Sequence, residues 1–198
     1  MSDRDSQLAA IRAELDGLTG SPLYDYRVEN GYQVVIGEGN LQASILFIGE
    51  APGKREAETG RPFVGASGKL LDTMLERIGL ARADVYITNV VKDRPPENRD
   101  PTQAEIELYT PFLTRQIDLI QPKVIATLGR FAMDYVFGLF DMAEQGEKIS
   151  DMHGRTLTAQ ASYGSVAVVP LYHPAVALYN AGQRDTLMGD FEALKAFI

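Results

Sequence analysis

A three-layer α/β/α sandwich around a central, mostly parallel four-stranded sheet is the fold class this sequence predicts. Three observations point to it. Four apolar runs, SILFI at 44–48, VYITNVV at 85–91, KVIATL at 123–128 and SVAVVPL at 165–171, have the continuous hydrophobicity of strands buried on both faces. Segments of helical period separate them, which implies βαβ units and a parallel sheet. The chain has 198 residues, 45% apolar and 23% charged, which suits one domain spanning 1–198 with a sizeable core.

Residues 5–18 place Leu8, Ile11, Leu15 and Leu18 on one face of a helix. The stretch 32–36 (YQVVI) reads as a further short strand, running into the turn-like GEGN at 37–40. Residues 67–80 read as a helix with Ser67 as its cap. The segment 101–120 is a long helix with Pro at both ends, and Thr102 followed by Glu105 predicts a capping box. A Gly129-led helix runs to Phe137, and 184–197 closes the chain as a helix. Repeats, low-complexity tracts and linkers are lacking.

Composition narrows the function classes. The chain has no Cys, which removes disulfides, thiolate nucleophiles and cysteine-held metal centres together. Two histidines, His153 and His173, make a His-rich metal site a poor reading, so no metal is expected. No apolar run approaches the 18 or so residues of a membrane span, and the charged start, Met1-Ser2-Asp3-Arg4-Asp5, leads into no signal-like apolar stretch. A cytoplasmic protein with no membrane partner is expected. The net charge of −8 taken alone argues against nucleic acid, but 54–99 carries nine basic against seven acidic residues.

In parallel sheets ligands sit beyond the carboxyl ends of the strands. Gly49–Gly53, residues 89–99 and His173-Pro174 all fall there, so three strand ends converge on one rim. Gly49-Glu50-Ala51-Pro52-Gly53-Lys54-Arg55 has the wrong spacing for a phosphate-binding P-loop, and Arg55 stands where Ser or Thr should hold magnesium. No G-x-S-x-G occurs, so Ser67 is not read as a nucleophile.

Gly49-Glu50-Ala51-Pro52-Gly53, Gly60-Arg61-Pro62-Phe63-Val64-Gly65 and Gly68-Lys69-Leu70-Leu71 resemble the first motif block of family 4 uracil-DNA glycosylases. Tyr86-Ile87-Thr88-Asn89-Val90-Val91-Lys92 with Arg94-Pro95-Pro96-Glu97-Asn98-Arg99 resembles the second. Leu128-Gly129 and His173-Pro174-Ala175 resemble the later ones, in order from about residue 32 to the C-terminus. The resemblance implies a DNA repair enzyme that flips uracil from single- or double-stranded DNA and hydrolyses its N-glycosidic bond, starting base excision repair as a monomer. Family members usually hold a [4Fe–4S] cluster on four cysteines. The aligned positions here are Leu18, Ser21, Asp93 and Tyr109, none a thiolate, so a cluster-free branch without cofactor is expected, with packing or hydrogen bonds joining those segments.

The same resemblance distributes roles. Asn89 would read the uracil edge, its NH₂ donating to O4 and its carbonyl accepting from N3–H, where cytosine presents the opposite pattern; a turn Asn is the alternative. Phe63 would stack on the flipped base, and a core Phe is the alternative. His173 would donate to O2, against a purely structural His. Gly49 and Ala51 belong to the base pocket. Family 1 enzymes carry an Asp where this chain has Ala51, so a water-activating group must come from elsewhere or be dispensed with. Glu56 is the carboxylate the resemblance favours, with Glu50 in a supporting role. DNA contacts are expected from Gly65, Ser67, Gly68 and Lys69 at a helix start, and from Leu178 and Tyr179 after the histidine. Tyr179 replaces a common Arg, which implies weaker, more salt-tolerant binding. Two other readings are a glycosylase for another deaminated base such as hypoxanthine, and a catalytically silent DNA- or protein-binding relative. A nucleotide-binding α/β protein without DNA affinity is a further one.

Overall fold

Side chains alternate along each central strand and divide the core into two faces. In the computed structural model, which describes residues 3–178 and 180–198, the strands are β1 (Glu38–Gly39), β2 (Ile45–Gly49), β3 (Tyr86–Asn89), β4 (Val124–Leu128), β5 (Leu157–Ala161) and β6 (Gly164–Leu171). They form one sheet in the order β1-β3-β2-β4-β6-β5. The four inner strands are parallel, with Gly49 opposite Asn89 and Leu128 opposite Leu171; β1 and β5 are antiparallel edges.

Among the described residues eight α-helices accompany the strands: α1 (Asp3–Asp16), α2 (Tyr24–Glu29), α3 (Lys54–Thr59), α4 (Ala66–Arg77), α5 (Gln103–Ile120), α6 (Arg130–Leu139), α7 (Ile149–Met152) and α8 (Ala181–Phe191). Leu46, Ile48, Ile125 and Val168 meet α1, α5 and α6 on one face. Ile45, Phe47, Ala126 and Val169 meet α4 and α8 on the other, where Phe47 and Phe191 stack at 5.8 Å. This is the expected three-layer sandwich. The capping box also forms: Thr102 accepts from the Glu105 N–H and the Glu105 carboxylate from the Thr102 N–H.

Three expectations need correction. The sheet has six strands, not four. β5 was invisible because its Leu157-Thr158-Ala159-Gln160-Ala161 pattern is that of a half-exposed edge, and β1 is only two residues long. Residues 34–36 are buried but join no ladder; the Val35 N–H donates to the Lys92 carbonyl, and the Ile36 carbonyl accepts from Thr88 Oγ1 and Gln116 Nε2. Strand pairing falls instead in the predicted turn, at Glu38–Gly39. Ser67 does not cap α4. The cap is Gly65, with no side-chain bond, and Ser67 is the second residue of the helix.

The segments carrying Ser21, Asp93 and Tyr109 are tied together by side chains. The Tyr109 hydroxyl donates to Asp93 Oδ2 at 2.6 Å and lies 2.8 Å from Ser21 Oγ. The Arg27 guanidinium, itself buried, reaches Asp93 Oδ1 at 3.4 Å and the carbonyls of Leu15 and Asp16. Burial raises the Asp93 carboxyl above its usual range, against the bonds from Tyr109 and Arg27. Tyr109→Phe leaves two buried oxygens short of a partner, a loss of about 1–3 kcal/mol. Denaturant unfolding is expected to register that loss; an unchanged midpoint would mean the network does not support the fold.

Candidate active site

The carboxyl ends of β2, β3 and β6 open into a cavity of about 450 Å³. Its lining includes Glu50, Ala51, Glu56, Phe63, Gly65, Ser67, Asn89 and His173, to which the sequence reading gave roles, with Lys54, Arg55, Pro95, Asn98 and Arg99, to which it gave none. The strand ends are joined backbone to backbone, because the Val90 and Val91 N–H groups donate to the Gly49 and Glu50 carbonyls.

Gly49 is required by close approach. A Cβ there would sit 2.4 Å from Asn89 Oδ1 and 2.6 Å from Phe63 Cζ. Its absence lets an amide and an aromatic ring meet over the end of β2. Asn89 is 1% exposed, and its Oδ1 has no hydrogen-bond partner among the described residues. An orphaned buried acceptor costs about 1–3 kcal/mol unless a ligand supplies a donor.

Phe63 sits in the left-handed region, at φ 50°, a strain characteristic of functional sites. Arg82 donates to the Pro62 and Phe63 carbonyls, and Glu56 Oε1 accepts from the N–H groups of Val64 and Gly65 at 2.9 and 2.8 Å. Gly68 is buried beneath this loop, where a Cβ would strike the Phe63 carbonyl. The ring is 6% exposed, packs into the α4–α8 core as the core reading has it, and also lines the cavity.

His173 follows β6, its ring 5.7 Å from that of Phe63. Its Nδ1 accepts from the Ala175 N–H at 3.1 Å. In the neutral imidazole the proton is therefore on Nε2, which becomes the donor. Burial pushes the ring's pKa down to about 4, opposed by the Glu56 charge. Glu50 is half-buried, and its pKa is pushed up to about 7 by desolvation and by Asp100, with Arg130 opposing.

The remaining predicted residues divide. Ser67 lines the cavity, whereas Lys69 is exposed on the outer side of α4. Leu178 is exposed after the 3₁₀ turn Pro174–Ala177, beside exposed Val176. Tyr179 lies outside the described residues. The rim segment 89–99 contains a turn at 96–98 to which no role had been assigned: Glu97 and Asn98 both have φ 55°, and Arg99 is held by the buried Glu105 carboxylate at 2.6 and 2.8 Å.

The strand ends of the parallel sheet thus bring an amide, a ring, an imidazole and a carboxylate around one cavity. Residues 36–195 match the family model described as "Uracil DNA glycosylase superfamily". The chain is 44% identical over 189 residues to a type-4 uracil-DNA glycosylase of Sulfurisphaera tokodaii, covering 95% of this chain and 83% of the relative. It is 49% identical over 162 residues to one from Saccharolobus solfataricus (81% and 74% coverage), and 38% identical over 202 residues to one from Thermotoga maritima (100% and 98%). The chain belongs to the uracil DNA glycosylase superfamily.

The iron–sulfur cluster implied by the family 4 resemblance does not fit this chain. Ser21, Asp93 and Tyr109 offer hard oxygens already hydrogen-bonded to one another, and Leu18 offers no donor atom.

Proposed function

We propose that this protein excises uracil from single- and double-stranded DNA by hydrolysing the N-glycosidic bond, and that it does so as a cytoplasmic monomer of one domain, 1–198, without a cofactor. One observation carries the reading: the unpartnered Asn89 Oδ1 at the cavity wall, between Phe63 and the His173 side. Uracil's N3–H is the donor that acceptor lacks, once the amide turns toward the base, and its NH₂ then faces O4. Cytosine would bring an acceptor at N3 and a donor at N4, both mismatched.

Phe63 supports the flipped base by stacking, worth about 1–3 kcal/mol and indifferent to base identity. As the bond breaks, electron density collects on uracil O2. The His173 Nε2–H, fixed as donor by Ala175, meets it without needing a positive ring. The sugar becomes cationic, and an ionised carboxylate stabilises it. Glu56 spends one oxygen on the loop N–H groups, while Glu50 lines the cavity and titrates near neutrality. Glu56 then acts by holding the Phe63 loop and placing negative charge near His173, and Glu50 supplies the charge that varies with pH. The α4 start receives a phosphate at the N–H groups of Ser67 and Gly68, that of Gly65 being committed to Glu56, while Lys69 adds charge and Leu178 fills the gap left by the base.

This division has a pH signature. His173 is neutral above about pH 4 and contributes no inflection between pH 5 and 9. Glu50 is protonated below about pH 7, so the single-turnover rate should fall on the acid side of neutrality. Glu50→Gln should lower the rate and flatten that limb, whereas Glu56→Gln should lower it with the limb intact. A limb that survives Glu50→Gln belongs to another group.

The activity itself is tested with oligonucleotides bearing uracil, hypoxanthine or xanthine, single- and double-stranded, followed by alkaline cleavage of abasic sites. Breaks at uracil alone are expected. Breaks at hypoxanthine would favour the second substrate class, and binding without breaks a silent relative.

A further inference from the structure

Lys92 is fully buried, yet among the described residues no carboxylate pairs with it. Its Nζ turns back along the chain to Thr88 Oγ1 at 2.7 Å and the Asn89 carbonyl at 2.7 Å. The Thr88 hydroxyl gives its own proton to the Ile36 carbonyl at 2.8 Å, so it accepts from Nζ. Both contacts are therefore donated by the lysine. A neutral amine has two N–H groups, and both are used; an ammonium would carry a third N–H and an uncompensated charge into the core. Burial pushes the amine well below its ordinary range, in keeping with that count.

The Asn89 carbonyl has a specific need for this donor. The Val90 N–H points to Gly49 across the β2 side, so in extended backbone the Asn89 carbonyl faces the opposite side. There β1 pairs only with Tyr86 and Ile87 and stops short of Asn89. Lys92 stands where a ladder donor is missing. The Lys92 carbonyl in turn accepts from the Val35 N–H, which anchors the returning backbone.

We infer that Lys92 is a positioning residue for base recognition: its side chain caps the end of β3 and fixes the peptide plane from which the Asn89 amide projects. This rests on Asn89 being the uracil reader. Without Lys92 the strand end frays, and the amide loses the pose in which one rotation serves both N3–H and O4. The loss falls on the base, not on the DNA backbone, because Lys92 reaches neither the cavity lining nor the surface.

The test is Lys92→Met, which keeps length and apolar bulk but removes both donors. Single-turnover uracil excision should drop about tenfold, equal to about 1.4 kcal/mol, and free uracil should inhibit about tenfold more weakly. Affinity for abasic-site DNA should stay within about twofold of wild type, since no phosphate contact is lost. Equal losses in all three, or none in uracil inhibition, would overturn the inference. If Lys92→Met does not fold, ¹⁵N-lysine spectra of the wild type decide it: a buried Nζ signal should move when uracil saturates the protein, and no movement would refute the coupling. A wild type that neither cleaves nor binds uracil would instead refute the reading of the pocket.

Discussion

Asn89→Asp is expected to reduce kcat/KM for uracil in DNA by about 10–100-fold, the rate equivalent of about 1–3 kcal/mol. The exchange is nearly isosteric, so packing against Gly49 and Phe63 is kept. The chemistry of the edge changes. An ionised carboxylate accepts from N3–H but cannot donate to O4, and it faces that oxygen with repulsion. It accepts from the N4 amino group of cytosine, so discrimination between the two bases should narrow as uracil excision falls. Paired oligonucleotides carrying U or C at one position report both effects. Unchanged kcat/KM for uracil would mean that Asn89 does not read the base.

His173→Ala is expected to cost about 10²–10³ in the single-turnover rate, as loss of one donor to a developing oxyanion does. The Ala175 N–H commits Nδ1 as acceptor, so Nε2 is the only ring donor, and burial keeps the ring neutral. That donor meets charge that exists only during bond breaking. Affinity for abasic-site DNA should therefore stay near wild type while the rate falls. Glu56→Ala should cost less in rate, because the carboxylate acts through the loop that carries Phe63. A Glu56→Ala variant at full rate, beside an inactive Glu50→Ala, would place the whole electrostatic role on Glu50.

Legibility in the sequence followed the range of the forces involved. The four inner strands were readable because burial on both faces leaves uninterrupted apolar runs, and α5 because Thr102 and Glu105 are a local capping signal. β5 and the short helices α2, α3 and α7 were not, since an edge strand and one- or two-turn helices depend on packing partners far along the chain. The segments 49–53, 89–99 and 173–174 were readable as one rim because strand ends in a parallel sheet collect ligand groups, whereas the roles expected of Asn89, Phe63, His173, Glu50 and Glu56 came from the family resemblance. Lys92 and Arg82 were not. A lysine reads as a surface residue until the fold closes over it, and Arg82 acts on Pro62 and Phe63 twenty positions earlier. Ser67 was misread as a cap because its local pattern is good; Gly65 holds the cap position instead, with its N–H committed to Glu56.

The replaced cluster positions show the same dependence. Ser21, Asp93 and Tyr109 are 88 and 16 residues apart along the chain, and nothing local announces that they meet. Their oxygens form a bonded set around Arg27, which sequence analysis had not singled out.

The most direct measurement is a crystal structure of the protein with free uracil in the cavity. The base is expected against Phe63, with Asn89 Oδ1 accepting from N3–H, the amide NH₂ on O4, and His173 Nε2 on O2. Uracil seated away from Asn89, or an Asn89 amide whose Oδ1 remains without a partner beside the bound base, would contradict it.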